Sequence, residues 1–207
     1  MDIVPELQKR IGGRWTGVRF LAETPTEALA DRTMRFCEAV SESYIRPIVL
    51  TPGLVDCPGA RRAFGWTTEA DDELAATMAE KMGTGSDSAL RAIRETPHLA
   101  DPAGAVRVGG PGTPDVVLTY AQPEAVMRVL HRWQANRGET PQIRVSSVMA
   151  VCGNVAVRAY LTDEICVSFG CPDSRTEGAV GRDRVILGMS AELAETLLGS
   201  PPAPGSV

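Results

Sequence analysis

Ile48-Val49-Leu50-Thr51, entered through Arg46-Pro47 and followed by Cys57-Pro58-Gly59-Ala60-Arg61-Arg62-Ala63-Phe64, reads as a buried strand, a turn and a helix opened by a cysteine. A short apolar run between turn residues is a strand signal, and proline at the first helical position leaves Cys57 at the cap. The arrangement recurs. Residues 143–148 read as a strand, and Cys152-Gly153-Asn154-Val155-Ala156 then opens a helix. A thiol at a helix N-terminus meets free N–H groups and the positive end of the helix dipole, which favours the thiolate, the form that metals and iron–sulfur clusters bind.

Working outward, residues 1–12 form an amphipathic helix stopped by Gly12-Gly13, and residues 18–22 form a strand. Thr24 caps a helix with Glu27 at the capping-box position, running past Cys37 to about Ser41. Helices follow over 67–82 and 86–95. Residues 97–114, rich in Pro and Gly, read as a linker centred on Gly109-Gly110-Pro111-Gly112. Beyond it come a strand over 115–120, a helix from Pro123 through Trp133, strands at 165–169 and 185–189, a helix opened by Ser190, and a frayed tail over 201–207.

Strand, helix, strand, Cys-turn and helix therefore occur in the same order twice, with Thr24-Pro25-Thr26-Glu27-Ala28 matching Ala121-Gln122-Pro123-Glu124-Ala125. The expected fold is α/β, a mixed sheet built from two similar βαβ-like halves sharing one core, in the manner of a diverged duplication. Residues 1–207 form a single domain on this reading, with subdomains 1–100 and 114–200.

Among 207 residues, 43% are hydrophobic and 23% charged, an ordinary globular balance. A net charge of −5, with Lys9 and Lys81 the only lysines, gives no basic footprint for nucleic acid or an anionic membrane. No run approaches the ~18 apolar residues of a membrane span. The N-terminal residues lack a signal-peptide layout, so a cytoplasmic location is expected, where structural disulfides are rare.

Cysteines stand at 37, 57, 152, 166 and 171, with no Cys-x-x-Cys pair. Three lie in compact turn contexts, Cys57-Pro58-Gly59, Val151-Cys152-Gly153 and Gly170-Cys171-Pro172, where the backbone leaves room for a bulky inorganic group. Cys166 sits in an apolar strand and reads as core. The bland alternative for the whole set is buried free thiols. Arg61 and Arg62, with Arg158 and Arg175, could set positive charge beside the thiolates, or could be solvated surface residues. His98 and His131 have no ligand-spaced partner. The Gly109–Gly112 stretch lacks the lysine and the helix of a phosphate loop.

Arg35-Phe36-Cys37-Glu38-Ala39-Val40, Leu50-Thr51 leading to Cys57-Pro58-Gly59-Ala60, Pro114-Asp115-Val116-Val117-Leu118, Val151-Cys152-Gly153 and Val167-Ser168-Phe169-Gly170-Cys171-Pro172-Asp173-Ser174-Arg175 resemble the prokaryotic family called domain of unknown function 169 (ArCR). The likeness covers nearly the whole chain in family order. It places the family's cysteines on Cys37, Cys57, Cys152 and Cys171, and its Gly-Cys-x-x-x-Arg element on Gly170, Cys171 and Arg175. Ala60 departs from the pattern, where relatives carry a further glycine. The resemblance implies a cysteine-bound centre and supplies no reaction.

Four thiolates suit a 4Fe–4S cluster or a structural zinc. Ligands drawn singly from distant turns favour the cluster. The expected protein is an enzyme using that centre on a small anionic metabolite, in lyase, hydration or sulfur-transfer chemistry, with Arg175, Arg61 and Arg62 as anion-holding residues. A non-catalytic cluster carrier or redox sensor, and a zinc-stabilised binding protein, are the alternatives; a homodimer is compatible with each.

Overall fold

A computed structural model describes residues 2–26 and 29–199. The capping position Glu27, the matched Ala28 and the tail 201–207 lie outside the described residues. Six strands form one sheet: β1 (Trp15–Leu21), β2 (Ile48–Leu50), β3 (Ala105–Val108), β4 (Val116–Ala121), β5 (Cys166–Ser168) and β6 (Val185–Ser190). Their spatial order is β2-β3-β1-β4-β6-β5, and every neighbouring pair is antiparallel.

The α/β class stands, and the sheet is antiparallel between neighbours rather than mixed. Since β1 and β2 both run against β3, they point the same way; β4 and β5 are related likewise through β6. Each trio is thus a βαβ unit split by a third strand. The two trios meet only at β1 and β4, in the register Trp15↔Thr119 to Val18↔Val116. The stretch expected to be a linker carries β3, an inner strand, so the connection between trios shortens to the glycine turn before β4.

Alternation along the central strands divides the core. Val116, Leu118, Tyr120 and Ile186 face one layer; Val117, Ala121, Leu187 and Met189 face the other. All six residues of β4 are buried, as a strand covered on both faces must be. The second layer is α1 (Ile3–Arg10), α6 (Pro123–Arg137) and α9 (Ala191–Gly199). Arg10 ties two of these together by donating to Leu198 O at 2.8 Å. The first layer is α2 (Phe36–Glu42), α3 (Pro58–Ala63), α4 (Asp71–Met82), α5 (Ser86–Glu95), a π-helical turn over Cys152–Val157 running into α7 (Arg158–Leu161), and α8 (Pro172–Thr176). Among the described residues, no helix is long and apolar enough to cross a membrane.

Two expected elements are absent from the described residues. The helix from Thr24 does not form: Ala30 donates to Val49 O and Met34 to Leu54 O, so pairing with the β2 region overrides local helix signals. Helix begins only at Phe36. The strand over 143–148 is also absent, its backbone being drawn into side-chain bonds: Ser146 Oγ accepts from Val148 N–H, and Ser168 Oγ donates to Ser146 O.

The π-helical turn lies directly on the sheet. A Cβ at Gly188 would stand 2.5 Å from Val155 Cγ1 and 3.3 Å from Val117 O, so only glycine admits this approach. Gly188→Ala is expected to lower stability by about 1–3 kcal/mol through overpacking. Adding Val155→Ala should restore part of that loss, and urea midpoints of the two single variants and the double variant measure the coupling.

Candidate metal centre

Cys57 and Cys171 occupy equivalent places, each following the second strand of its trio and each capping a short helix with proline at its first position. At Cys171 the sulfur accepts from the Ser174 N–H, and the Cys171 N–H donates to Ser174 Oγ at 2.9 Å. Cys57, by contrast, makes no side-chain cap hydrogen bond. Cys152 does not cap a helix, because the chain is already helical before it; it is the first residue of the π-helical turn. Such turns are rare and concentrate at functional positions. Cys37 is the second residue of α2. Its close neighbour is the end of α8, where a Cβ on Gly178 would lie 2.9 Å from the Cys37 sulfur.

These four cysteines line one cavity of about 40 Å³. Its remaining wall is largely apolar and sulfur-rich, with Met78 and Met82 from α4 and Met149 from the loop before Cys152. Met149 holds a left-handed backbone, φ 47°. For a residue with a Cβ this costs about 1–2 kcal/mol, and the strain sits against the cavity. Cys37 and Cys152 are buried, whereas Cys57 and Cys171 are half-buried toward the mouth. Cys166 is buried elsewhere in the sheet, outside this lining.

Burial dominates the thiol chemistry. Desolvation pushes Cys37 and Cys57 above the usual thiol range and Cys152 well above it, and the neighbouring cysteines reinforce each shift. The backbone N–H groups near Cys57 and Cys152 favour the thiolate, and they lose to desolvation. Without a cation these three thiols are neutral. Cys166 is pushed up to about 12 by burial.

No group of three His, Cys, Asp or Glu side chains among the described residues is arranged to hold a single metal ion. The thiols ring a space and reach it from four separate elements. A donor set of four sulfurs with apolar walls fits an inorganic cluster in kind.

The arginines singled out from sequence are absent from the cavity lining. Arg175 spends its guanidinium on the backbone carbonyls of Phe169, Val180, Gly181 and Arg184. Arg61 donates to Pro52 O and Trp66 O. Arg62, 9% exposed, pairs with Asp71 at 2.6 Å and donates to Thr96 O. Each closes a loop onto a neighbouring element. Charge at the cavity comes instead from residues that sequence reasoning passed over. Asp173 and Lys81 line the mouth, and Asp173 pairs with Arg35 at 2.6 Å and with Lys81 at 3.3 Å. Arg35 immediately precedes α2, so its position beside Cys37 was the available signal; its partner lies 138 residues away.

The chain matches the family domain of unknown function 169 (uncharacterised ArCR) over residues 14–200. It belongs to that family. The matched span takes in the whole sheet and all five cysteines of this family member. Among the curated proteins and among the solved structures, nothing matches the chain.

The Arg62–Asp71 pair gives a test of the structural role of Arg62. Its hydrogen bond holds the Asp71 carboxyl below the ordinary 3.8. A depressed folded value adds stability that is complete above the ordinary value and is lost as pH falls through the folded one. Asp71→Asn is therefore expected to cost about 1 kcal/mol at pH 7, the pair being partly exposed. The gap between the two proteins should close below about pH 3.8, as read by chemical denaturation across pH.

Proposed function

We propose that this protein is an iron–sulfur-cluster-binding protein whose 4Fe–4S centre is held by Cys37, Cys57, Cys152 and Cys171. The observation that carries the reading is the convergence of these four thiols, two from each of two distant parts of the chain, on one apolar cavity. Thiolates from several directions are the ligand set such clusters take. Binding would supply the cation that desolvated sulfur lacks, and ligation would be coupled to proton release.

The role follows from what else reaches the cavity. With four ligands no iron is left open to bind a substrate as a Lewis acid, and Arg61, Arg62 and Arg175 are committed to backbone and carboxylate partners elsewhere. Electron transfer or redox sensing, with half-buried Cys57 and Cys171 nearest solvent, suits this site better than chemistry on an anionic metabolite. Structural zinc is the rival, and it requires the thiols to draw in to a single point.

Anaerobic purification should give a brown protein with broad absorption near ~400 nm and about four iron and four sulfide per chain. Cys57→Ser and Cys171→Ser, at the half-buried positions, should each cut iron and sulfide content severely, while Cys166→Ala leaves both at the starting level. A colourless protein with one zinc per chain would establish the rival. Metal content indifferent to Cys57 and Cys171 would remove the site.

A further inference from the structure

A second cleft opens where α1, the start of β1, the end of α2 and the Gly109–Gly112 turn meet. It holds about 540 Å³ and shares no lining residue with the cysteine cavity. That volume falls within the ~300–1,000 Å³ of small-molecule sites. We propose that this cleft binds a small phosphorylated molecule, its phosphoryl oxygens held by Arg14 and Arg19 against the Gly109–Gly112 turn.

Charge comes first. Arg14 and Arg19 line the cleft, and neither guanidinium has a hydrogen-bond or ion-pair partner among the described residues. They differ in this from Arg35, Arg61, Arg62 and Arg175, all of which are engaged. Asp2 is the single carboxylate in the lining. Two unpaired cations facing a concave surface favour an anion, and the guanidinium fork is shaped for phosphate or carboxylate oxygens.

The turn shapes the surface that these cations face. Gly109, Gly110 and Gly112 have φ of 75°, 84° and 100°, a backbone that side chains avoid, so the main chain lines the cleft uncovered. A Cβ on Gly112 would stand 2.9 Å from an Arg19 guanidinium nitrogen, so glycine there lets Arg19 lie against the turn. Across the cleft, the hydroxyls of Thr16 and Ser43 are hydrogen-bonded to each other at 2.9 Å. Ser43 also donates to Val40 O at 2.7 Å, and the Gly109 N–H donates to Gly17 O, so the free donors at the cleft are the two guanidiniums. Two unpaired cations match a dianionic phosphoryl group better than a singly charged carboxylate. The arrangement differs from a phosphate loop, having no lysine and no following helix, and the sequence reading of this stretch as a linker overlooked that it closes a cleft.

Pyrophosphate is the probe. Calorimetric titration of the full purified chain at low ionic strength should show saturable binding of one pyrophosphate per chain, weakening as salt rises. Arg14→Gln and Arg19→Gln should each weaken binding about tenfold or more, and Arg91→Gln, on the exposed face of α5, should leave it unchanged. Thermal unfolding of each variant verifies that the fold is intact. Iron and sulfide are measured on the same samples, so an empty cysteine centre and a failed anion cleft are separate results. Absence of saturable binding, or binding that survives in the Arg14→Gln/Arg19→Gln double variant, overturns the proposal. Succinate binding in place of pyrophosphate overturns the assignment to phosphate.

Discussion

The antiparallel pairing of β1 with β4 is the constraint on which the molecule depends. It is the one place where the two strand trios join, and its register fixes how the helices of each trio stand over the shared face. Cys37 and Cys57 belong to the chain before β4, and Cys152 and Cys171 to the chain after it. The thiol cavity therefore exists only once the seam has formed. Neither trio carries enough sulfur to make a four-ligand centre alone. Contacts this distant in sequence bear a loop-closure cost before they are rewarded, and the buried central strand repays it with apolar area on both faces.

Burial and ligation pull on the same sulfurs in opposite directions. Apolar packing around Cys37, Cys57 and Cys152 disfavours their charged form more strongly than nearby N–H groups favour it. At the mouth the Asp173 carboxylate pairs with both Arg35 and Lys81, and the Arg35 charge that favours a thiolate at Cys37 and Cys57 is outweighed by burial. The cavity is thus suited to sulfur that is either protonated or bonded to metal, and poorly suited to a free nucleophilic thiolate. This distinguishes it from the reactive cysteine of an enzyme that attacks its substrate directly.

What the sequence disclosed was punctuation. Cys57-Pro58 marks a helix start, because proline at the first turn has few other places to go, and Cys171-Pro172, read from the sequence only as a turn, opens a helix as well. Apolar runs at 116–121 and 185–190 are strands, and Ser190 Oγ caps the last helix by accepting from Leu193 N–H. Partners were illegible. Nothing in Ala105–Val108 announces an inner strand when glycines and prolines surround it, and that omission turned a strand into a linker. Thr24 carried a sound local helix signal, but a neighbouring strand edge took its segment. The expected duplication is not confirmed: by its place after the second strand of a trio Cys57 compares with Cys171, whereas local pattern had aligned it with Cys152. Arginine charge can be counted from the chain, yet whether it meets a carbonyl, as at Arg175, or open space, as at Arg19, depends on residues far away.

Helix α2 is short, and its two ends look onto different chambers. Cys37 stands near its beginning and Ser43 just past its end, six residues or about 9 Å apart at ~1.5 Å per residue. Tyr120 grips both ends at once, its hydroxyl donating to Cys37 O at 2.8 Å and its backbone N–H donating to the Tyr44 hydroxyl at 3.2 Å. A helix this brief, pinned at each end by one residue of the most buried strand, behaves as a strut. Whatever displaces sulfur at one end displaces a hydroxyl at the other.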